Sequence, residues 1–388
     1  MTYYLLPKTS LNIQNHINIK LDDNTPDIFL SYSLSKYLST MKEKIDKYGT
    51  EWDNYKKYTN PYEFIHTIIP SKNKSVSKYK PLSRSYFKMI EMINLLKLNV
   101  NDEKPIKSFH LAEGPGGFIE ALAHTRNNKE DNYIGMTILN DNDSNVPGWK
   151  KSNAFLSKNK NVFIERGKDG TGDILNIDNF TYCYEKYKNS MEIITADGGF
   201  DFSHDFNKQE VNISNLLFGQ IAYAVIMQKQ GGSFILKIFD SFMQHTVDLL
   251  YLLSSFYKKV YIIKPNTSRY ANSEKYIVCK DFIFNNPSEY YYNIFYTPFN
   301  VMLNNKDKYI HRFLSIDTSL FFTIKLQEYN AIFGQQQLEN IYNTFAIINN
   351  KNKFEKYSNN IKNNIIKCIH WCSKFNIETY NPALFTEL

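Results

Sequence analysis

Cysteine is scarce in this chain, with four in 388 residues, and that number agrees with an intracellular protein. Cys368, His370 and Cys372 lie close together, but no second Cys or His pair stands near to complete four ligands. Buried thiols are the better reading, and no metal site is expected. No run reaches the roughly 18 consecutive apolar residues of a membrane span, so none is expected to cross a bilayer. The opening MTYYLLPKTSLNIQN lacks the basic region and long apolar stretch of a signal peptide, which again points to the cell interior. No Gly-Lys-Ser/Thr follows a glycine-rich turn, so no Walker-type phosphate loop is present. There is no internal repeat.

What the chain does have is apolar content of 43%, enough for a sizeable core, and a length that suits one large domain with extensions. The net charge of +7 is compatible with a polyanionic partner without requiring one. The 29 tyrosines and 28 phenylalanines include candidates for stacking bases, although most must fill the core. The abundance of Asn, Ile, Lys and Tyr is the mark of an AT-rich genome and carries no chemistry.

Three regions follow from the pattern. Residues 1–75 read as a polar extension with helical patches at Ser31–Tyr48 and Glu51–Tyr58, and Ser71–Lys80 reads as a solvated lysine-rich linker. Residues 76–285 alternate apolar strands with amphipathic helices, the pattern of an α/β sheet. Strands are expected at Ile106–Ala112, Tyr133–Ile138, Val162–Glu165, Glu192–Ala196, Ser233–Ile238, Lys259–Lys264 and Tyr276–Lys280. Helices are expected at Ser83–Leu96, Gly117–His124, Ile174–Lys188, Gln209–Lys229 and Phe242–Phe256. The fold class is therefore α/β: a Rossmann-like methyltransferase fold, with a seven-stranded, mostly parallel sheet and an antiparallel last strand. Residues 286–388 form a mostly helical extension, with helices at Leu326–Asn349 and Phe354–Phe375.

Within HLAEGPGGF an apolar run meets a turn of Glu113, Gly114, Pro115, Gly116, Gly117 and Phe118. In an open α/β sheet ligands sit outside the carboxyl ends of the strands, and glycines let the backbone approach them closely. A dinucleotide fingerprint would need glycine at position 119, which is Ile119. Glu113, Asp173 in DGTGDIL and Asp197 in TADGG should all fall at strand ends. Such a cluster repels a pyrophosphate and favours a cationic cofactor such as S-adenosylmethionine, which carries an ammonium, a sulfonium and no phosphate. Asp173 is also open to reading as the N-cap of the helix that follows.

Four charged residues stand in fixed order in distinctive strings: Lys88 in SRSYFKM, Asp197 in TADGG, Lys237 in FILKIFD and Glu274 in SRYANSEKY. Each has an ordinary explanation alone, as a solvated helix lysine, a strand-end lysine or a loop carboxylate. Together with the glycine turn, across residues 83–281, they resemble the FtsJ-like RNA ribose 2′-O-methyltransferases, most closely the cap-specific members of eukaryotes and large DNA viruses.

The resemblance implies methyl transfer from S-adenosylmethionine to a ribose 2′-hydroxyl. Lys237 would be the general base and Lys88 would steer the hydroxyl, while Asp197 and Glu274 orient the lysines. A lysine is a poor base at its ordinary pKa of about 10.4, and a second ammonium nearby lowers that value. The resemblance places Asp173 by the adenine amino group and Asp197 on the sulfonium side. The family's usual Asp at the end of the first strand is His110 here, so Glu113 is the candidate for the amine. On the RNA side, Arg84, Ser268, Arg269 and Asn272 flank tetrad residues in strings the family uses to hold acceptor nucleotides. Tyr62, Phe64, Trp149 and Tyr270 are candidates to stack on a methylated guanine.

The expected partner is RNA, a capped mRNA 5′ end, with capping or transcription machinery beside it. Ribosomal or transfer RNA methylation and a non-catalytic RNA-binding subunit are the alternatives. A viral source would place the protein in the cytoplasm, at a virus factory or in the virion, and a cellular source would place it in the nucleus.

Overall fold

Strands come from all three regions of the chain. The computed structural model describes residues 2–385, apart from 10, 71, 99–102, 141–145, 147, 200–205, 286–287 and 351–353. The amino-terminal region supplies β1 (Thr2–Leu5), β2 (Ile17–Asp22), α1 (Tyr32–Asp46) and α2 (Thr50–Thr59). The middle region opens with α3 (Ser85–Leu96), β3 (Lys107–Leu111), α4 (Gly117–Arg126), β4 (Asn132–Met136), α5 (Asn153–Lys158) and β5 (Val162–Glu165). It continues with α6 (Ile177–Tyr187), β6 (Met191–Ala196), α7 (Gln209–Asn212), α8 (Ser214–Met227) and β7 (Gln228–Ile238). It closes with α9 (Gln244–Phe256), β8 (Tyr257–Lys264) and β9 (Lys275–Phe282). The carboxy-terminal region adds α10 (Ser288–Leu303), β10 (Tyr309–Leu314), α11 (Leu320–Asn349) and α12 (Phe354–Lys374).

The main sheet runs β1-β8-β9-β7-β6-β3-β4-β5. Strands β7, β6, β3, β4 and β5 are mutually parallel, and β9 runs antiparallel to both β7 and β8. The seven expected strands are all present, in a methyltransferase-type sheet with an antiparallel strand wedged in. The eighth, β1, pairs antiparallel with β8. Its residues alternate half-buried and exposed, and Tyr4 stacks on Tyr329 of α11 at 4.5 Å, so the edge is covered from a distant part of the chain. Strands β2 and β10 form a separate two-stranded sheet that ties the two terminal regions together.

Other boundaries moved for local reasons. The helix expected at Ile174 starts at Ile177, because the Asn176 side chain caps it by accepting from the N–H groups of Asp178 and Asn179. Asp173 is therefore not that cap. The helix expected over Gln209–Lys229 breaks at Ile213 into α7 and α8, and β7 starts already at Gln228. From Leu216 to Met227 every residue of α8 is buried, as expected of a helix sandwiched between sheet and outer helices.

The expected solvated linker is exposed at Asn73, Lys74, Lys78 and Lys80 but buried at its centre, at Ser75, Val76 and Ser77. Val76 is buried, its N–H donates to Phe64 O at 2.9 Å, and Ser77 forms a bridge with Thr379. Two cores flank the sheet, and both draw on all three regions. Leu6, Leu236 and Phe333 share one, while Phe64, Tyr276 and Trp371 share the other. Cys368 and Cys372 are buried thiols of α12 in this second core.

Candidate active site

The carboxyl end of β3 leads into the glycine turn. Ala112 takes the left-handed conformation at φ 52°, and Gly116 reaches φ 106°, which only glycine adopts without strain. A side chain at Gly114 would lie 2.5 Å from Gly148 O, so the turn is packed directly against the loop after β4. These constraints turn Glu113 inward. Its Oε1 accepts from Phe118 N at 2.5 Å at the start of α4, while Oε2 is buried with no partner. Burial pushes the Glu113 carboxyl well above the usual carboxylate range. The nearby Asp197 adds to this, and the N–H groups of α4 and Lys237 oppose it.

His110 is not part of this turn. It lies within β3, fully buried, with Nε2 2.8 Å from Ser108 Oγ and Nδ1 2.8 Å from Thr195 Oγ1. Burial lowers its pKa to about 3, so it is a neutral core group rather than a substitute at the cofactor end. Trp149 packs over Gly116 and Gly135 and is 8% exposed, which removes it as a stacking surface for a cap. Pro147 of the same VPGWKKS string lies outside the described residues. Phe64 is equally unavailable, being wholly buried in the second core. Tyr62 and Tyr270 are half-buried. Asp173 sits beside the carboxyl end of β4, where Leu139 N donates to Thr171 O at 2.7 Å. Its Oδ1 accepts from Leu175 N at 2.8 Å.

The four charged residues converge. Lys88 projects from α3 and its Nζ lies 2.8 Å from the carboxylate of Glu274, the residue just before β9. Lys237, next to last in β7, donates to the carbonyl oxygen of Asp197 at 2.7 Å and lies 3.4 Å from its Oδ1. Tyr276 links the two pairs. Its hydroxyl donates to Asp197 Oδ1 at 2.9 Å and accepts from Lys88 Nζ at 3.3 Å. It is buried opposite Lys237 in the β7–β9 register. The sequence held a signal for it, since Tyr276 opens an expected strand two positions after Glu274. Burial raises the Glu274 carboxyl, but Lys88, Lys237 and the Ser268 hydroxyl together hold it well below the usual range.

The loop bearing Ser268 and Arg269 is fixed from below by groups that sequence reasoning passed over. Glu91 of α3, fully buried, accepts from Asn266 N and Thr267 N at 2.9 and 2.8 Å. Lys264, at the end of β8, is buried and donates to Asn272 Oδ1 and Glu274 O, both at 2.8 Å. Burial, and the neighbouring Lys275, hold its pKa well below the usual lysine value. Ser268 donates to Glu274 Oε1 at 2.6 Å and is itself buried, so it sets the carboxylate rather than meeting RNA. Asn272 is likewise engaged by Lys264.

Arg84 and Arg269 meet on one carboxylate. Glu63, 2% exposed, takes the Arg269 fork at 3.1 and 2.7 Å and Arg84 Nη2 at 3.4 Å. The trio keeps one net positive charge at the surface beside Lys88. Burial pushes Glu63 up, but the two arginines pull it down to about 2. Its folded pKa lies below the ordinary 4.5, so its contribution is complete above that value and lost as the pH falls towards 2. Glu63→Gln is expected to cost roughly 3 kcal/mol at neutral pH. Chemical denaturation of wild type and variant across pH 7 to 3 should show that gap narrowing. A constant gap would contradict the assignment.

With this geometry in view, the sequence can be compared with known proteins. The sequence model of the FtsJ-like methyltransferase family matches residues 81–282, just over half of the chain. The chain belongs to the FtsJ-like methyltransferases. Over 260 residues it is 30% identical to cap-specific mRNA (nucleoside-2′-O-)-methyltransferase 2 of Danio rerio, covering 64% of this chain and 34% of that protein. Over 252 residues it is 31% identical to cap-specific mRNA (nucleoside-2′-O-)-methyltransferase 1 of Homo sapiens, covering 60% of this chain and 28% of that one. The Trypanosoma brucei brucei methyltransferase 1 is 36% identical over 174 residues, 44% of this chain and 45% of its own. The chain thus spans less than half the length of these relatives. Among solved structures, a putative ribosomal RNA methyltransferase of Plasmodium falciparum aligns with a TM-score of 0.36 at 21% identity, over 52% of this chain and 98% of its own.

The FtsJ-like family draws its methyl group from S-adenosylmethionine, and the residues here fit that molecule. The unpartnered Oε2 of Glu113 suits an ammonium, and the glycines let the turn that carries it pack against Gly148, Trp149 and Ser83. Gly114, Pro115, Gly116, Gly117 and Phe118 form that turn, with Asp197 and Asp173 at neighbouring strand ends. Among the described residues, no group of three His, Cys, Asp or Glu is placed to hold a metal ion. No helix among them is long and apolar enough to cross a membrane.

Proposed function

We propose that this protein methylates the ribose 2′-hydroxyl of a cap-proximal nucleotide of mRNA. The observation that carries the reading is the tetrad: two Lys–carboxylate pairs joined through Tyr276 beside the glycine turn. The relatives that share this region are named as cap-specific 2′-O-methyltransferases.

S-adenosylmethionine supplies, when bound, an electrophilic methyl on a sulfonium. The chain's own residues do the rest. Lys237 is the group we assign to take the hydroxyl proton, because Asp197 fixes its Nζ through the carbonyl oxygen at 2.7 Å and Oδ1 at 3.4 Å. Lys88, held by Glu274 and Tyr276, orients the hydroxyl oxygen. General-base help of this kind contributes about 10²–10⁴-fold, while fixing the reactants in line can contribute about 7–11 kcal/mol of the barrier. Orientation is therefore the larger share, which is what a buried, cross-braced tetrad provides. Arg84 and Arg269, held on Glu63, would offer a backbone phosphate the guanidinium N–H groups that Glu63 does not take.

The test is transfer of a labelled methyl group onto capped and uncapped transcripts, followed by nucleoside analysis. Label on a 2′-O-methylated nucleoside next to the cap is expected, and uncapped RNA should accept little. Equal transfer to uncapped RNA would move the substrate to ribosomal or transfer RNA. No transfer and no cofactor binding would leave a non-catalytic RNA-binding subunit.

A further inference from the structure

A cavity of about 250 Å³ opens beside the tetrad where the three regions meet. Trp52, Lys56 and Lys42 reach it from α2 and α1, Gln337 from α11, and Phe239 and Arg269 from the loops after β7 and β8. Neither terminal region alone could form it.

Its position is set by Phe239, whose ring centroid lies 5.9 Å from Lys237 Nζ, so one wall stands next to the amine placed to accept the proton. Across the cavity Trp52 is 9% exposed and packed on Phe345, with ring centroids 5.6 Å apart, so the half-buried Phe239 is the aromatic face open to a base. Cations are built into the walls rather than left loose. Lys42 is bound to Asp240 at 2.8 Å, Lys56 is paired with Asp53, and Arg269 is braced by Glu63. An aromatic face with cations at its rim suits a nucleobase attached to a phosphate. The volume is small for a dinucleotide and suits one base. Distance from Lys237 selects which base, because a nucleotide presenting its 2′-hydroxyl there must place its own base within a few ångströms.

We propose that this cavity receives the base of the acceptor nucleotide, unstacked from its neighbours. On this proposal, which rests on the ribose-methylation reading above, the terminal regions align the 2′-hydroxyl by holding the base attached to its ribose. Unstacking a base costs free energy, and stacking on an aromatic wall repays it by about 5- to 150-fold in affinity per base.

The test uses the full chain with S-adenosylmethionine and two capped RNAs that differ only at the acceptor position, one normal and one abasic with its 2′-hydroxyl intact. Removing the base should raise KM about tenfold. Phe239→Leu, which keeps apolar bulk and loses the aromatic face, should raise KM about tenfold for the normal RNA and leave the abasic RNA unchanged. An equal effect on both RNAs, or on neither, overturns the proposal. Should Phe239→Leu fail to fold, wild-type protein still decides the matter. An RNA with 5-iodouridine at the acceptor position should crosslink to the peptide carrying Phe239, and label confined to other peptides overturns it. Absence of transfer to the normal RNA would instead sink the function reading, which the base-dependence arms leave separate.

Discussion

Replacing Lys237 with methionine should lower kcat for ribose methylation by about 10²–10⁴-fold while cofactor affinity stays near that of the wild type. Methionine keeps most of the apolar stem in its slot and removes only the amine. The lysine side chain is 13% exposed, and its Nζ contacts only Asp197 within the tetrad, at the backbone carbonyl and at Oδ1. Its loss therefore leaves Glu274 with Lys88 and leaves Tyr276 on Asp197. The scaffold should persist and the proton acceptor should not. Stopped labelled-methyl transfer gives kcat, and calorimetry with S-adenosylmethionine gives the binding constant. Retained full transfer would refute the role given to Lys237. Loss of cofactor binding in parallel would show a structural role instead.

Glu113→Gln should weaken S-adenosylmethionine binding by roughly 10- to 100-fold with little change in kcat at saturation, because an ionic hydrogen bond is worth about 1.5–3 kcal/mol. Glutamine can keep the bond from Phe118 N through its carbonyl oxygen, so α4 retains its start while the charge disappears. The pH dependence follows from sign. Burial, with Asp197 alongside, holds the Glu113 carboxyl well above its usual range in the unliganded protein. A bound ammonium favours the ionised form, so binding releases a proton, and affinity should fall as the pH drops through the raised pKa. Calorimetry in buffers of different ionisation enthalpy measures that proton. A variant that binds like wild type, or binding without proton release, would place the amine elsewhere.

Much of the site was legible because its signals are local. The glycine turn directly follows an apolar strand, so Glu113 could be placed from neighbours alone. Lys88, Asp197, Lys237 and Glu274 each sit where a predicted strand or helix fixes their direction. His110, which stands where the family usually has Asp, stays in the core because β3 runs on to Leu111 and the chain then turns through Ala112. That turn passes the inward-facing position on to Glu113 and leaves His110 between Ser108 and Thr195.

The bracing residues were not legible. Glu63 and Arg269 are 206 residues apart, and Glu91 and Thr267 are 176 apart. A buried carboxylate looks like any helix or loop acid until its distant partner is known, because burying it is tolerable only when paired. The linker was half legible for the same reason, with Lys74, Lys78 and Lys80 exposed and Ser75, Val76 and Ser77 buried. Its lysines suggested exposure, but its backbone pairs with residues near 379.

From sequence alone came the α/β class, the seven strands in order, the family, and the four charged residues with their glycine turn. Each rests on periodicity or on neighbours within one element, and chemistry at that range survives without coordinates. Tertiary structure alone decided that Tyr276 joins the two ion pairs, that Glu63 gathers two arginines, and that the terminal regions close a cavity against Lys237. Those are contacts between different elements, 79 residues apart for Tyr276 and Asp197 and 206 for Glu63 and Arg269, made by burial and charge pairing that exist only once the sheet and its two cores have formed.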